Sequence, residues 1–498
     1  MTLKRNLLLG LLLLSGMALF ASAYWGLPVE LMLLGLAGFG VAVYLAVRFP
    51  EWFLVAALFA PQWKTFWVFQ SLSRFGDLTL VMLVCLAGGL LWRIVMWFGR
   101  LGYAEIRSLF SRQLSQILAF LVFAAFVTLS YSYTSAPDYG GQKLTRFLLI
   151  GTLLFVSPFF IIFTEDDFRR FVRLFVGFSA LTAIQLISNL ELRSQDSESD
   201  ITRIGAGWLM GMAILLILFY PLSRARNRQR LLLFFLVPLF LAGLMASAAR
   251  GPLVAVSIAA LIGMAVLLKE GQLRIITAIF LLFFIAVGIG GAYVVLSQTD
   301  RGKYAAKAGE LESLLSGGTT SGSGGKRIDF YRATINAIPN QPLIGTGIGS
   351  WSSFYYGNDQ RNYPHNLLME IAFEEGLVGL ASFLVLLTLV GVATLRMLSA
   401  SRSHFLALGL LVLYCLIVSL FSGDLDDNRL LWLWMGVTLS ICRLVQFRVD
   451  AFYSMQAMRR PAAGAMRPSP APVFSRHFAA ARNSVQQKDR EWREKFVF

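Results

Sequence analysis

Residues 366–395 read NLLMEIAFEEGLVGLASFLVLLTLVGVATL. From Gly376 onward nothing in this run is charged, and the whole is long enough to cross a bilayer core of about 30 Å as a helix. In lipid every backbone N–H and C=O must be paired within its own segment, so a spanning run of this kind is a helix. Yet it opens on Asn366, Glu370, Glu374 and Glu375, groups that are expensive in hydrocarbon. The run therefore marks both a membrane span and a place where polar side chains are kept for a purpose.

Similar runs recur along the chain. About fourteen reach spanning length, near 7–24, 28–47, 52–70, 78–98, 114–133, 145–163, 168–190, 204–222, 231–248, 252–268, 273–296, 366–395, 404–421 and 429–446. The third is the weakest, since Pro61 and Lys64 interrupt it. With 498 residues, 57% of them hydrophobic and 14% charged, and a mean hydropathy of +0.65, the composition excludes a soluble protein and defines an all-α, polytopic membrane protein. The net charge of +16 does not point to nucleic acid, because the Lys and Arg residues lie between apolar runs and in the tail rather than in one patch. Cys85, Cys415 and Cys442 fall inside apolar runs, with no disulfide or metal-ligand spacing. The first 23 residues have the basic start and small-x-small end of a secretory signal, but a second run follows at once, so they are expected to stay as a first span.

Loop charges set the orientation. MTLKR, GRLGYAEIRSLFSRQ, TEDDFRR, SRARNRQR, KEGQLR and RMLSASRSH are rich in Lys and Arg and alternate with the acidic or mixed SYTSAPDYGGQK, ELRSQDSESDITR and SGDLDDN. Short inner loops carry the basic excess, so both chain ends are expected inside. The chain divides into N-terminal spans (1–296), a large outer loop domain (297–365), C-terminal spans (366–446) and a disordered basic tail (447–498). The outer loop holds a flexible tract, SGGTTSGSGGK (316–326), and then an aromatic, helix-patterned part from Ile328 to Ile338. The glycines of LIGTGIGSW (343–351) lack a surrounding strand–helix unit, so they read as a tight turn rather than a nucleotide loop.

Among three histidines, His365 alone is expected on the outer face, and a neutral imidazole suits proton acceptance near neutral pH. Asn366 is a good helix cap, and Asn366, Glu370 and Glu374 share one helix face at i, i+4, i+8. Those glutamates serve function or complement the helix N-terminus. The turn ASAARGP (246–252) carries Arg250 with no acid nearby in sequence, and Arg327 and Arg203 are further outer arginines. Guanidinium groups bind phosphate through paired hydrogen bonds, so together they suggest a phosphate-bearing substrate. The acidic turn SGDLDDNR (422–429) suits a cation, a sugar hydroxyl or a solvated cap.

PLIGTGIGSW followed by PHNLLMEIAFEEGLVGL resembles the C-terminal signature of the O-antigen ligase and O-antigen polymerase superfamily. Ser247, Arg250, Gly251 and Pro252 resemble the family's SRG segment, Arg327 its loop arginine, and LSYSYTSAPDYGGQKLTR (129–146), with Lys143, its upstream outer loop. About fourteen spans exceed the dozen typical of the ligases, and Ala248-Ala249 stand where relatives often carry a Ser beside the Arg. The resemblance implies a GT-C-like enzyme of about 12–14 transmembrane helices in the bacterial inner membrane, with its large periplasmic loop between the eleventh and twelfth spans. Its donor would be an undecaprenyl-diphosphate-linked oligosaccharide and its acceptor a glycan or lipid-linked hydroxyl, with no metal and no cofactor. His365, Arg250 and Arg327 would be catalytic, and Arg203, Lys143, Asn366, Glu370 and Glu374 substrate-binding. The long loop leans slightly to a polymerase, with a ligase as the alternative. A transporter or flippase expects paired broken spans and midplane charge, neither evident here.

Overall fold

In a computed structural model, residues 40–63 (except 42, 43 and 46), 78–100, 110–188, 197–220, 227–271 (except 248), 323–401 and 404–459 are described. The expected spans near 7–24 and 273–296, the first part of the outer loop and the tail beyond 459 lie outside these residues, as does most of the span near 28–47. The described residues hold helices and no strand, as composition requires. Two compact units divide the chain, Met1–Leu101 and Gly102–Val497. In the first, α1 (Pro50–Trp63) packs against α2 (Leu78–Arg100), and Arg93 donates to the Val47 carbonyl at 3.2 Å.

The second unit begins with α3 (Leu114–Ser130) and α4 (Pro137–Arg146), which a wide π-type turn at Phe147–Gly151 joins to α5 (Thr152–Ile161). Then come α6 (Glu165–Ser188), α7 (Ser197–Phe219), α8 (Asn227–Ala246) and α9 (Arg250–Lys269). After the undescribed stretch follow α10 (Ser323–Ala337), the short α11 (Trp351–Tyr356) and α12 (Leu367–Glu374). The chain continues as α13 (Gly376–Ser401), α14 (Leu406–Ser419) and α15 (Arg429–Arg459). Seven helical segments among the described residues are long and apolar enough to cross a membrane, and three more apolar helices, 203–219, 236–246 and 406–419, are shorter.

Between Leu430 and Arg443 α15 is buried on every side, which is why it is apolar all round rather than striped. Gly436 lets it meet α5 backbone to backbone: a Cβ there would lie 2.2 Å from the Phe155 carbonyl oxygen. Close helix approach through small residues replaces the hydrophobic drive that lipid cannot supply. Around it Phe120 stacks on Phe155 at 4.1 Å, and Trp432 meets Phe123, Phe147 and Phe383.

Polar groups gather at two ends of this unit. At one, Glu165 pairs with Arg169, with Arg448 at 2.9 Å and with His404 at 3.4 Å, while Arg443 donates to the Phe159 and Ile162 carbonyls, each at 3.1 Å. These residues come from loops and helix ends that charge patterning assigns to the inner face. At the other end lie the segments assigned to the outer face, around residues 131–146, 247–251, 327–375 and 420–428.

The expected single span over 366–395 is in fact two helices. Gly376, with φ 71°, breaks the run between α12 and α13, and Gly345, φ 72°, lies against it. A Cβ on Gly376 would sit 2.3 Å from the Leu343 oxygen and 2.5 Å from the Gly345 nitrogen. The break leaves helix-end carbonyls free for the outer loop: Thr346 and Gly347 amides donate to Phe373 and Glu374 at 3.0 and 2.8 Å. In return, Leu377 and Val378 donate to Pro342 and Leu343. The LIGTGIG turn therefore braces the helix junction.

Candidate functional site

His365 stands at the N-terminal entrance of α12. Its φ of 60° makes it the one non-glycine residue with positive φ among the described residues, a conformation that persists only where surroundings impose it. Pro364 precedes it, and Asn366 follows as the cap, its side-chain oxygen accepting from the Met369 amide at 3.2 Å. The imidazole lies near-parallel to Phe330 of α10 at 6.2 Å and edge-on to Tyr363 at 4.6 Å. The Tyr331 hydroxyl, 3.4 Å from both the His365 and Leu420 carbonyls, ties the entrance to the end of α14. Nδ1 is buried with no hydrogen-bond partner among the described residues. Burial first, and then the Arg327 guanidinium, push this imidazole down to about 4 against the opposing pull of Asp424, so it is neutral at pH 7.

The other face of α12 looks into a buried ionic network. The Lys143 ammonium of α4 pairs with both Glu370 and Glu374, and all three side chains are 0–1% exposed. Glu370 also accepts from the Leu425 amide at 3.0 Å. One turn before Lys143, Tyr139 donates to Asp424, whose second oxygen accepts from the Asp427 amide at 2.9 Å. Arg361 bonds Asp427 at 2.6 Å and lies 3.8 Å from Asp424; Arg146 reaches Asp426 at 3.5 Å. The Asp359 carboxylate accepts from the Asp138 and Tyr139 amides at 2.8 and 2.9 Å, capping α4 from the loop. Burial would raise Asp424, but a hydrogen bond with Asp426, the charges of Lys143 and Arg361, and the Tyr139 hydroxyl hold it at about 2. Burial and the Asp424 charge instead push Asp426 well above the carboxylate range. Carboxylate oxygens of Asp424, Asp426 and Asp427 lie within 4.8 Å of one another, a spacing that suits a cation, although Arg361 and Arg146 already bring positive charge to them.

The structure brings His365, Asn366 and Arg327 together. Arg250 is the first residue of α9, and its neighbour Gly251 abuts Phe421, one residue beyond the Leu420 carbonyl that Tyr331 approaches. Arg203, half-buried on α7, lies about one turn before Gly207, which packs on Ser247 and Ala249 at the same end. Lys143, Glu370 and Glu374 were expected to touch a substrate, but each faces the others inside the protein. A desolvated ammonium is tolerable only when paired, and two acids one turn apart on α12 supply the pairing. Sequence reasoning missed Tyr331, Tyr363, Arg361 and Tyr139. The acidic turn at 422–429 was a signal for their partners, but nothing local marks the tyrosines or Arg361.

The fold and site together define a polytopic all-α membrane protein whose polar and ionisable side chains converge at one helix-end cluster around a neutral histidine. Residues 234–384, which include α9, α10, α12 and His365, match the family described as O-antigen ligase, in line with the superfamily that the motifs resemble. No curated protein matches the chain.

Proposed function

We propose that the protein is a GT-C-like, metal-independent inverting glycosyltransferase of the bacterial inner membrane. It transfers a glycan from undecaprenyl diphosphate to an acceptor hydroxyl in surface polysaccharide assembly. Both termini face the cytoplasm and the site faces the periplasm. The observation that carries this reading is the meeting of a neutral imidazole with Arg327 beside the start of α9, where Arg250 stands. His365 Nε2 takes the acceptor's proton as its oxygen attacks C1 of the donor sugar. The C1–O bond breaks, and the diphosphate leaves with the electron pair, its growing charge met by Arg250 and Arg327 with Arg203 nearby. Diphosphate is a good leaving group without further activation. Single displacement inverts the anomeric centre.

A slight preference goes to a polymerase, in which the acceptor is a second lipid-linked repeat; transfer to lipid A core would make it a ligase. Deletion with glycan-length analysis separates them: single-repeat products indicate a polymerase, unattached long chains a ligase. His365→Ala is expected to abolish transfer while the protein accumulates normally, and near-normal transfer would remove the base assignment. Arg250→Lys keeps charge but loses the paired donors, so full activity in that variant would refute bidentate diphosphate recognition.

A further inference from the structure

We infer that Lys143 is a positioning residue for His365, acting through α12 rather than on substrate; the inference rests on the reading of His365 as the base. Only eight residues long, α12 is below the length at which a helix holds itself by its own hydrogen bonds. Its rotation about its axis decides where the imidazole at its entrance points, since His365 directly precedes the cap. Glu370 and Glu374 stand one turn apart on one face of α12, and the Lys143 ammonium binds both. Glu370 is also shared with the Leu425 amide, so the same carboxylate is gripped from α4 and from the 420–428 loop. Tyr139, four residues before Lys143, grips that loop a second time through Asp424. The helix is thus held against turning by a charge that no solvent reaches and by two neighbours that are themselves tied together. This over-determination is what a positive-φ histidine requires to stay in place.

A lysine that bound substrate would have an accessible ammonium, and this one has none. A lysine needed only for folding would affect the whole unit rather than α12. Three variants of the full-length protein in membranes separate these roles: Lys143→Met, Lys143→Arg and Glu370→Gln. Two readouts are taken, steady-state transfer kinetics and amide hydrogen exchange by mass spectrometry, the second needing no knowledge of the reaction.

For Lys143→Met, kcat is expected to fall about 10²-fold, the scale of a 1 Å misplacement of a reacting group, with the donor KM within about twofold. Exchange is expected to rise about tenfold in the peptide covering 366–374 while peptides from α6 and α14 stay protected. Lys143→Arg is expected to recover most of both. A raised KM at unchanged kcat would assign Lys143 to substrate, and unchanged exchange over 366–374 would mean that it does not hold α12. Exchange rising equally across the unit, with unchanged kcat per folded molecule, would reduce it to a fold-stabilising role. If Lys143→Met does not accumulate, Glu370→Gln decides, since it keeps an oxygen for the Leu425 amide but drops the charge pairing with Lys143: raised exchange over 366–374 with α6 and α14 still protected supports the lock, and unchanged exchange in an accumulating protein overturns it. His365→Ala run alongside reports separately on the base, since wild-type transfer there would end that assignment whatever the exchange data say.

Discussion

Acidifying the assay tests the histidine directly. An ordinary imidazole titrates near 6.5, and burial together with Arg327 brings His365 to about 4. A base works in its unprotonated form, so activity is present above the folded-state value and lost as pH falls through it. At pH 5.5 a group titrating at about 4 is about 97% neutral, whereas one at about 6.5 would be about 9% neutral. Between pH 7.5 and 5.5, kcat/KM is therefore expected to hold nearly constant rather than drop about tenfold. Bound donor changes the balance, because a diphosphate offsets Arg327 and lowers the cost of a cationic ring. The acid limb of kcat should then lie above that of kcat/KM, since the first reports the complex and the second the free enzyme. Arg327→Gln should move the kcat/KM limb upward and weaken donor binding. The assay is transfer of a synthetic lipid-linked glycan in detergent or nanodiscs, followed from pH 4 to 8. A kcat/KM limb near 6.5 in the unaltered protein would refute the buried, neutral imidazole.

Two further outcomes follow from the local geometry. Gly376→Ala forces a side chain into left-handed backbone, costing roughly 1–2 kcal/mol, and sets its Cβ against the Leu343 oxygen. Loss of the loop–junction hydrogen bonds adds about 1 kcal/mol each, so transfer should collapse and thermal stability fall, as a melting curve with an activity assay would register. Asn366→Ala removes the α12 cap and should cost about 1 kcal/mol of stability with a disproportionate loss of kcat; Asn366→Asp, which keeps an accepting oxygen, should retain most of it.

Much of the architecture was legible because spanning length and apolar composition act locally. The spans expected near 78–98, 114–133, 168–190, 252–268 and 404–421 coincide with α2, α3, α6, α9 and α14 within a few residues. Two boundaries were not. Residues 137–144 read as an outer loop by polarity, yet they are the first turns of α4, because Pro137 suits a first helical turn, Asp359 caps it from far along the chain and Lys143 finds its acids there. The break at Gly376 was hidden for the same reason: the backbone packed against it, at Leu343 and Gly345, lies in another loop. At the site, Asn366 as cap and the shared face of Glu370 and Glu374 followed from helical spacing. Their partner did not, since an ion pair between residues more than two hundred positions apart leaves no trace in either neighbourhood.

The stretch from His365 to Gly376 behaves as a ruler. One end is marked by the imidazole and the other by a glycine wedged against a foreign backbone, with two graduations, Glu370 and Glu374, read by a single ammonium. Adding or removing one residue would turn everything on one side of the change by about 100° relative to the other. The count itself therefore cannot change, and length variation in this protein has to be accommodated elsewhere.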